Sequence, residues 1–249
     1  MKRFAELNRE QLRAANDHLV ILPIGATEQH GPHLATGTDF FTITAVAEEA
    51  ALRASGRIPV LVTPALPFGS SDHHLLFGGT LSLTSETYYR VLCDLLQSLA
   101  TDGFRRVFVL NGHGGNHELM ELAARDTVLK REIHVAAASY WAIAWEALLA
   151  VDGHKGRRLP GHAGDFETSM MLNLRPDLTP GPLPHRDNIG DSPVIRVANW
   201  RAELHGFWKS IDGYTDSPDQ ATAENGKRFF EAIAGAVADA FVSFYETAS

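Results

Sequence analysis

Residues 18–40 read HLVILPIGATEQHGPHLATGTDF, an apolar run that leads directly into a glycine- and proline-rich loop. The run at residues 18–22 is typical of a buried β-strand, and the loop that follows carries Glu28, His30 and Asp39. In an open α/β sheet, ligands bind just beyond the carboxyl ends of the strands. The stretch therefore predicts a buried strand with a candidate binding site at its end.

The spacing of these polar residues favours a metal site. Glu28 and His30 are two residues apart, so on extended backbone both side chains point to the same side and can reach one ion. Carboxylate oxygen and imidazole nitrogen together suit Zn, Mn or Fe(II). A polar surface loop of solvated side chains is the other interpretation, because histidine occurs near glutamate for other reasons. This stretch alone does not decide between the two interpretations.

The composition limits the class of protein. The 249 residues suit one large α/β domain, and an apolar fraction of 45% is typical of a globular protein with a sizeable core. The net charge of -8 argues against a basic surface that binds nucleic acid. Cys93 is the only cysteine, so no intrachain disulfide can form, which fits a cytoplasmic location. We also expect no membrane partner, because no run approaches the length of a membrane span.

Short apolar runs alternate with segments of helical periodicity along the chain. Strands are predicted at residues 18–22, 58–62, 106–110 and 133–138, and helices at residues 8–15, 41–55, 84–100, 116–131, 139–150 and 220–246. A further helix contains Glu167 and ends before Pro176. The alternation predicts one α/β domain over residues 1–249, a three-layer sandwich with a mostly parallel sheet and helices on both faces.

Three more polar clusters follow predicted strands or begin predicted helices. They are residues 67–81 with Ser70, Ser71, His73 and His74; residues 111–118 with His113, Gly114 and Gly115; and residues 152–167 with Arg158, His162 and Glu167. Such positions meet at one end of a parallel sheet, so the clusters could form one site. Taken singly, His113 could merely satisfy hydrogen bonds within its glycine loop. Glu167 could be an ordinary acid in the first turn of a helix, where the helix dipole favours it. Solvation in a loop would explain His73 and His74.

Two other chemistries are compatible with parts of the chain. The glycine loop at residues 111–118 could cradle a phosphate, since glycine lets the backbone approach a ligand closely. It lacks the Lys-Ser/Thr pair of a P-loop and the full Rossmann glycine spacing. A serine nucleophile is the second alternative, but the chain has no G-x-S-x-G motif. A serine–histidine–aspartate set would also leave the cluster at residues 28–39 without a role.

Four motifs, in order within residues 20–175, together resemble the creatininase (creatinine amidohydrolase) family. They are residues 25–34 (GATEQHGPHL) with Thr38 and Asp39, residues 69–74 (GSSDHH), residues 111–116 (NGHGGN), and residues 162–164 (HAG) with residues 167–169 (ETS). The resemblance implies a compact α/β fold with two divalent metals, in proteins that are commonly cyclic-amide or formamide hydrolases and often hexamers. It implies a set of metal ligands, Glu28, His30, Asp39, His113 and Glu167, with Asp39 bridging, and it implies His162 as the proton-transferring residue.

Two departures separate this chain from the creatinine-hydrolysing members of that family. Those members carry a glutamate two residues after the glycine-loop histidine, where this chain has Gly115. They also carry a tryptophan four residues before the histidine that aligns with His162, where this chain has Arg158. We therefore expect no creatinine pocket, and Glu167 is the natural carboxylate for the second metal. Arg158 favours a substrate with an anionic group, because guanidinium pairs bidentately with carboxylate or phosphate.

These residues and the resemblance predict a dinuclear metal-dependent amidohydrolase. A metal-bridged hydroxide would cleave the C–N bond of a cyclic amide, a formamide or a short peptide. Two Zn, Mn or Fe ions would share Asp39, because five ligands exceed those of one tetrahedral ion. His162 would protonate the leaving nitrogen as an imidazolium near neutral pH, with Glu167 as the other predicted catalytic residue. The predicted substrate-binding residues are Ser70, Ser71, His73, Gly114, Gly115 and Arg158.

Two expectations about partners, and two alternatives, accompany this function. The substrate is a small molecule or a short peptide, and the resemblance implies a homo-oligomer, specifically a hexamer. A non-catalytic metal- or small-molecule-binding protein on the same fold is one alternative function. A phosphate-binding transferase that uses the glycine loop is the other.

Overall fold

Five parallel strands form the central sheet of the computed structural model. They are β1 (Lys2–Arg3), β2 (Leu19–Ile24), β3 (Val60–Val62), β4 (Arg106–Asn111) and β5 (His134–Ser139), and they lie in the order β1-β3-β2-β4-β5. In this register Leu19 lies beside Val60 on β3 and beside Arg106 on β4. The structure describes residues 1–151, 159–186, 194–197 and 200–248.

Helices connect the strands and continue the chain after the sheet. They are α1 (Arg9–Arg13), α2 (Thr38–Ala54), α3 (Ser85–Thr101), α4 (His117–Val128), α5 (Tyr140–Ile143), α6 (Trp145–Ala150), α7 (Asp165–Leu174), α8 (Phe207–Ser210) and α9 (Ala223–Thr247). Two short strands, β6 (Val194–Val197) and β7 (Trp200–Glu203), form an antiparallel pair apart from the central sheet. Within the described ranges, no helix is long and apolar enough to cross a membrane.

The helices cover both faces of the sheet, as the alternating pattern predicted. Leu19 and Ile21 of β2 belong to the hydrophobic cluster that contains the buried faces of α2, α7 and α9. Val20 and Leu22 point the other way, into the cluster formed with α3 and α4. A strand that is apolar on both faces is typical of a parallel sheet between two helical layers. The predicted α/β fold is therefore confirmed.

Several element boundaries differ from the prediction for identifiable reasons. The second predicted strand is shortened to β3, because Pro59 lacks the N–H that a strand pair requires. The helix predicted at residues 139–150 is divided at Ala144 into α5 and α6. The helix predicted from residue 41 begins earlier, at Thr38, so Asp39 lies in the first turn of α2 rather than in a loop.

The end of β4 lies unusually close to α2. A Cβ atom on Gly112 would lie only 2.7 Å from Ile43 Cβ, so only a glycine fits there without displacement. This close approach brings the first turn of α2 next to the loop that follows β4. The same arrangement places the end of β2 beside both segments, since β2 and β4 are neighbours.

Candidate metal centre

Five buried ionisable side chains converge beyond the carboxyl ends of β2 and β4. Glu28 and His30 follow β2, and His113 follows β4, while Asp39 and Glu167 project from the first turns of α2 and α7. The exposed fraction of these residues runs from 0% for Glu28 to 7% for Glu167. Ionisable groups are buried together at low cost only when they are paired or hold a cation.

The five side chains form two overlapping groups that share Asp39. In one group, His113 Nδ1 lies 3.2 Å from Glu28 Oε1 and 3.0 Å from Asp39 Oδ2. In the other, His30 Nε2 lies 3.2 Å from Asp39 Oδ1 and 3.7 Å from Glu167 Oε2. The potential ligand atoms of each group all lie within 4.8 Å of one another. Asp39 therefore presents one oxygen to each group.

Backbone carbonyls hold the outer nitrogens of the two histidine rings. His30 Nδ1 donates to the Glu28 carbonyl at 3.1 Å, and His113 Nε2 donates to the Ser70 carbonyl at 3.1 Å. A neutral imidazole that donates from one nitrogen carries its lone pair on the other. His30 Nε2 and His113 Nδ1 therefore face the centre as potential ligand atoms, in the arrangement that commonly orients metal-binding histidines.

The atoms at the centre lack the hydrogen bonds that burial normally requires. Among the residues that the structure describes, both Glu28 oxygens, Asp39 Oδ2 and His30 Nε2 are buried without a hydrogen-bond partner. Buried polar atoms without partners are uncommon and indicate a missing ligand or ion. Carboxylate oxygen with imidazole nitrogen is the donor set of Zn and Mn sites. The residues of this centre therefore fit a divalent metal.

The ionisation of the cluster shows how strongly it attracts positive charge. Burial opposes a charged ring, yet the negative charge of Asp39 raises the pKa of His30 to about 10. Glu28 likewise raises the pKa of His113 well above its usual value against the penalty of burial. Burial and the charge of Asp39 raise the pKa of Glu167 to about 8. A bound divalent cation would replace these protons as the source of positive charge.

His162 borders the two groups. Its Nδ1 lies 3.5 Å from Glu28 Oε1, and its Nε2 donates to the Gln29 carbonyl at 2.9 Å. The lone pair is therefore on Nδ1, facing the centre. Burial, together with the charges of His74 and His30, holds the pKa of His162 well below its usual value. Burial outweighs the attraction of Glu28 and so favours the neutral ring, whereas the sequence-based prediction has the ring act as an imidazolium.

The predicted residues of the two polar loops lie around His113. Ser71 Oγ is 3.2 Å from His113 Nε2, the nitrogen that also contacts the Ser70 carbonyl. A Cβ atom on Gly115 would overlap that carbonyl and lie 2.6 Å from His113 Nε2. A Cβ atom on Gly114, by contrast, would meet no other atom within 4 Å. The backbone here therefore has no space for the glutamate that creatinine-hydrolysing family members are expected to carry at position 115.

The two remaining predicted substrate residues differ in what the structure shows. The His73 ring is stacked on the His113 ring with centroids 5.8 Å apart, at the edge of the centre. Arg158 lies outside the described residues. The substrate-binding roles predicted for Arg158, His73, and the serines and glycines of the two loops stay predictions.

Three residues of the site were not predicted as members. His74 is buried with Nε2 3.7 Å from Glu28 Oε1, although solvation in a loop was an equally good interpretation of its sequence. Gln29 lies between two predicted ligands in the sequence, and its side chain contacts His74. The ring of Trp208 lies 4.5 Å from that of His74 and 5.4 Å from that of His162. Trp208 comes from a segment without periodicity, where the sequence left open whether it lines a pocket or an interface.

Comparison with known proteins decides the family. The sequence model described as creatinine amidohydrolase matches residues 5–241. The chain belongs to the creatininase family.

Curated members of the creatininase family that resemble this chain are hydrolases by name. The chain is 33% identical to the mycofactocin precursor peptide peptidase of Mycobacterium ulcerans (strain Agy99), over 85% of this chain and 79% of that protein. It is 31% identical to the creatinine amidohydrolase of Pseudomonas putida, over 91% and 90% of the two chains. It is 35% identical to the 3-dehydro-scyllo-inosose hydrolase of Thermotoga maritima (strain ATCC 43589 / DSM 3109 / JCM 10099 / NBRC 100826 / MSB8), over 90% and 76%. The chain is therefore a creatininase-like amidohydrolase.

Solved structures of creatininase have the same fold, and the names of two of them include a metal. A Mn form matches with a TM-score of 0.76 and 27% identity, covering 96% of each chain. A mutant creatininase described as Zn–Zn type matches with a TM-score of 0.75 and 28% identity, again over 96% of each chain. Together with the clustered ligand atoms of this chain, these matches support a divalent-metal site.

Proposed function

We propose that this chain is a dinuclear metal-dependent amidohydrolase that cleaves the C–N bond of a cyclic amide, a formamide or a short peptide. The observation that carries the proposal is the position of Asp39 between two ligand groups. Its Oδ2 faces His113 in the group with Glu28, and its Oδ1 faces His30 in the group with Glu167. A carboxylate shared by two three-residue groups suits two ions that flank it, since five protein ligands exceed those of one tetrahedral ion.

The residues of the chain hold and orient the proposed Zn, Mn or Fe pair. When bound, such ions lower the pKa of water toward about 7 and polarise a substrate carbonyl. The carbonyls of Glu28 and Ser70 keep the inner nitrogens of His30 and His113 available as ligands. The low exposure of the cluster excludes bulk water, which strengthens each electrostatic contact inside it.

His162 is the proposed proton-transferring residue. Its Nδ1 lone pair faces the centre, because its Nε2 proton is engaged by the Gln29 carbonyl. Nδ1 takes a proton from the attacking water as the water oxygen bonds to the amide carbon, and then gives it to the leaving nitrogen as the C–N bond breaks. A ring that starts neutral can perform both steps. This order differs from the sequence-based prediction, in which the ring begins as an imidazolium.

Creatinine is not the proposed substrate. A glutamate at position 115 would displace the Ser70 carbonyl that orients His113, so the glutamate of creatinine-hydrolysing members cannot be accommodated in this backbone. The curated relatives are named for a precursor peptide, creatinine and an inosose, so membership of the family does not fix the substrate. Arg158 favours a substrate with an anionic group over creatinine.

Metal analysis combined with a substrate screen tests the proposal. We expect two equivalents of Zn, Mn or Fe per chain, and hydrolysis of at least one lactam, formamide or short peptide by the metal-loaded protein. Asp39→Asn should lower the affinity for both ions, because both groups lose the same carboxylate. Asp17→Asn is the control, since the Asp17 side chain is 66% exposed.

Three outcomes would contradict the proposal in different ways. One equivalent of metal at saturation would refute the dinuclear centre. Two equivalents with no hydrolysis across the screen would favour a metal-binding protein without catalysis. Tight nucleotide binding without any metal would favour the phosphate-binding transferase.

A further inference from the structure

His74 faces the metal centre with the opposite hydrogen-bonding polarity from the other three buried histidines there. Those three donate outward to backbone carbonyls and turn a lone pair inward. The outer nitrogen of His74, Nδ1, instead lies 2.8 Å from the side-chain amide nitrogen of Gln29. Its inner nitrogen, Nε2, is buried without a hydrogen-bond partner, 3.7 Å from Glu28 Oε1.

Gln29 decides which nitrogen of His74 carries the proton. Gln29 Oε1 accepts from the Gly31 N–H at 2.9 Å, and Gln29 Nε2 donates to the Gly213 carbonyl at 2.9 Å. These two bonds orient the amide and use one of the two hydrogens on Nε2. His74 Nδ1, at 2.8 Å, lies nearer to the amide nitrogen than His162 Nε2, at 3.2 Å, so the other hydrogen is directed at His74 Nδ1, which accepts it. The proton of the neutral His74 ring is therefore on Nε2, directed into the site.

The lack of a side chain at Gly213 leaves room for the Gln29 amide to make these hydrogen bonds. Its backbone has a φ of +75°, and a Cβ atom there would lie 2.8 Å from both polar atoms of the Gln29 amide. Any larger residue at position 213 would push the amide away from its carbonyl partner. Gln29 itself is only 7% exposed, so water does not compete for these bonds.

Gln29 also sets the polarity of His162, the ring stacked on His74. The two ring centroids are 4.1 Å apart at an angle of 19°. The Gln29 carbonyl accepts from His162 Nε2, whereas the Gln29 side chain donates to His74 Nδ1. One residue thus makes one ring an acceptor and its neighbour a donor. Both inner nitrogens border the same oxygen, Glu28 Oε1, at 3.5 Å for His162 and 3.7 Å for His74.

We propose that His74 is a further catalytic residue, whose Nε2–H donates a hydrogen bond to the carbonyl oxygen of the scissile amide, and that Gln29 is the positioning residue that keeps the proton on Nε2. This inference rests on the proposed amide hydrolysis. When the water oxygen bonds to the carbonyl carbon, the carbonyl π electrons move onto the oxygen. A donor already in place stabilises that charge without reorganisation. His74 keeps its proton, and the mobile proton passes through His162.

His74 also forms a group of potential ligand atoms with Glu28 and His73, and the bond from Gln29 argues against its use as a metal ligand. A ligand would need a lone pair on Nε2, and the bond from Gln29 to Nδ1 removes it. Metal content therefore separates the two roles. A donor can be lost without loss of metal, and a ligand cannot.

Substitution of His74 tests the donor role. We expect His74→Ala to bind both metals and to lose about 10²–10³-fold in kcat with little change in KM, the usual effect of removing one such donor. His74→Gln should recover part of kcat, because its amide places an N–H near the position of Nε2. His134→Ala is the control, since His134 is exposed at the start of β5. Loss of a metal from His74→Ala, or an unchanged kcat in that variant, would overturn the inference.

Nitrogen NMR of zinc-loaded protein labelled with ¹⁵N-histidine tests the positioning role of Gln29. We expect the His74 ring, assigned by its absence from the His74→Gln spectrum, to be the neutral tautomer with the proton on Nε2. Gln29→Met has a similar volume and no donor, so it should let His74 populate the other tautomer and lower kcat while both metals remain. A loss of packing alone would not change the tautomer.

The two proposals fail in distinguishable ways. A wild-type His74 with its proton on Nδ1, in a protein that hydrolyses amides, would overturn this inference and leave the proposed function intact. A wild-type protein that carries two metals and hydrolyses no amide would overturn the proposed function, and with it the donor role of His74.

Discussion

Asp39 Oδ2 lies 3.0 Å from His113 Nδ1, a contact that joins the first turn of α2 to the loop after β4. The two segments meet because Gly112 lets Ile43 of α2 pack directly on the end of the strand. The positive end of the α2 dipole also favours a carboxylate in its first turn. Asp39 belongs to both ligand groups and His113 to one of them. Substitution of either residue should therefore reduce metal binding more than it disturbs the fold.

Glu167→Gln should weaken one of the two metal sites. A neutral amide is a poorer ligand than a carboxylate, and Glu167 belongs only to the group with His30. Activity should fall and recover partly with excess metal. Metal content per chain and rates at increasing metal concentration check this. Glu246→Gln, on the last turns of α9, is the control, and a Glu167→Gln protein with both metals tightly bound would contradict the assignment.

His162→Ala should keep both metals and lose turnover. His162 Nδ1 is aimed at the centre and forms a further group with Glu28 and His30, but the two groups that share Asp39 each have three potential ligands without it. We expect a loss of about 10²–10⁴-fold in kcat, the usual scale for a general acid–base residue. Added metal should not restore the rate. If His162→Ala lost a metal while Glu167→Gln kept both, the roles of the two residues would be reversed.

Gly115→Ala should weaken metal binding although residue 115 is not itself a predicted ligand. The added Cβ would overlap the Ser70 carbonyl and approach His113 Nε2, so the His113 ring would shift from its position. We expect lower metal affinity and a lower melting temperature. Gly114→Ala, next in the same loop, is the matched control because a Cβ there has open space. Equal metal affinity in both variants would show that the close packing at position 115 is unimportant.

Removal of the metals should destabilise the fold reversibly. Glu28 and Asp39 are buried with oxygens that have no hydrogen-bond partner among the described residues, so their charge depends on a cation. Dialysis against a chelator should lower the melting temperature, and Zn or Mn should restore it by preferential binding to the folded state. Thermal unfolding at a fixed protein concentration measures both steps. A melting temperature that does not respond to chelation would contradict a buried metal centre.

Light scattering should show a homo-oligomer, a hexamer by resemblance to the family. The segment at residues 180–210, whose sequence shows no clear periodicity and which lies partly outside the described residues, is one predicted contact surface. A second candidate lies beside the site, where Leu75 and Leu76 are 53% and 57% exposed. Leu75→Glu with Leu76→Glu should reduce the mass if this surface is buried in the assembly, and Leu129→Glu, at a position 76% exposed beyond α4, is the control. A monomer at micromolar concentration would contradict the prediction.

The parts of the fold that were predictable depend on local pattern. Residues 19–24 are apolar at every position because β2 is buried on both faces, and a strand of that kind can be recognised in the sequence without its neighbours. β1 is only two residues long, so its pairing with β3 could not be inferred from periodicity. Asp39 was placed in a loop because α2 begins without a side-chain cap, which removes the usual signal of a helix start.

The chemical type of the site could be predicted from the sequence because its members follow strands or lie in the first turns of helices. Carboxylates and histidines at such positions indicate metal chemistry whatever their partners are, and Glu28, His30, Asp39, His113 and Glu167 do converge. The positions of the protons on the histidine rings could not be predicted from the sequence. A histidine has the same letter whether it donates or accepts, and its tautomer depends on a partner distant in sequence. Gln29 reaches Gly213 and His74 only after folding, and those contacts make His74 a donor and His162 an acceptor.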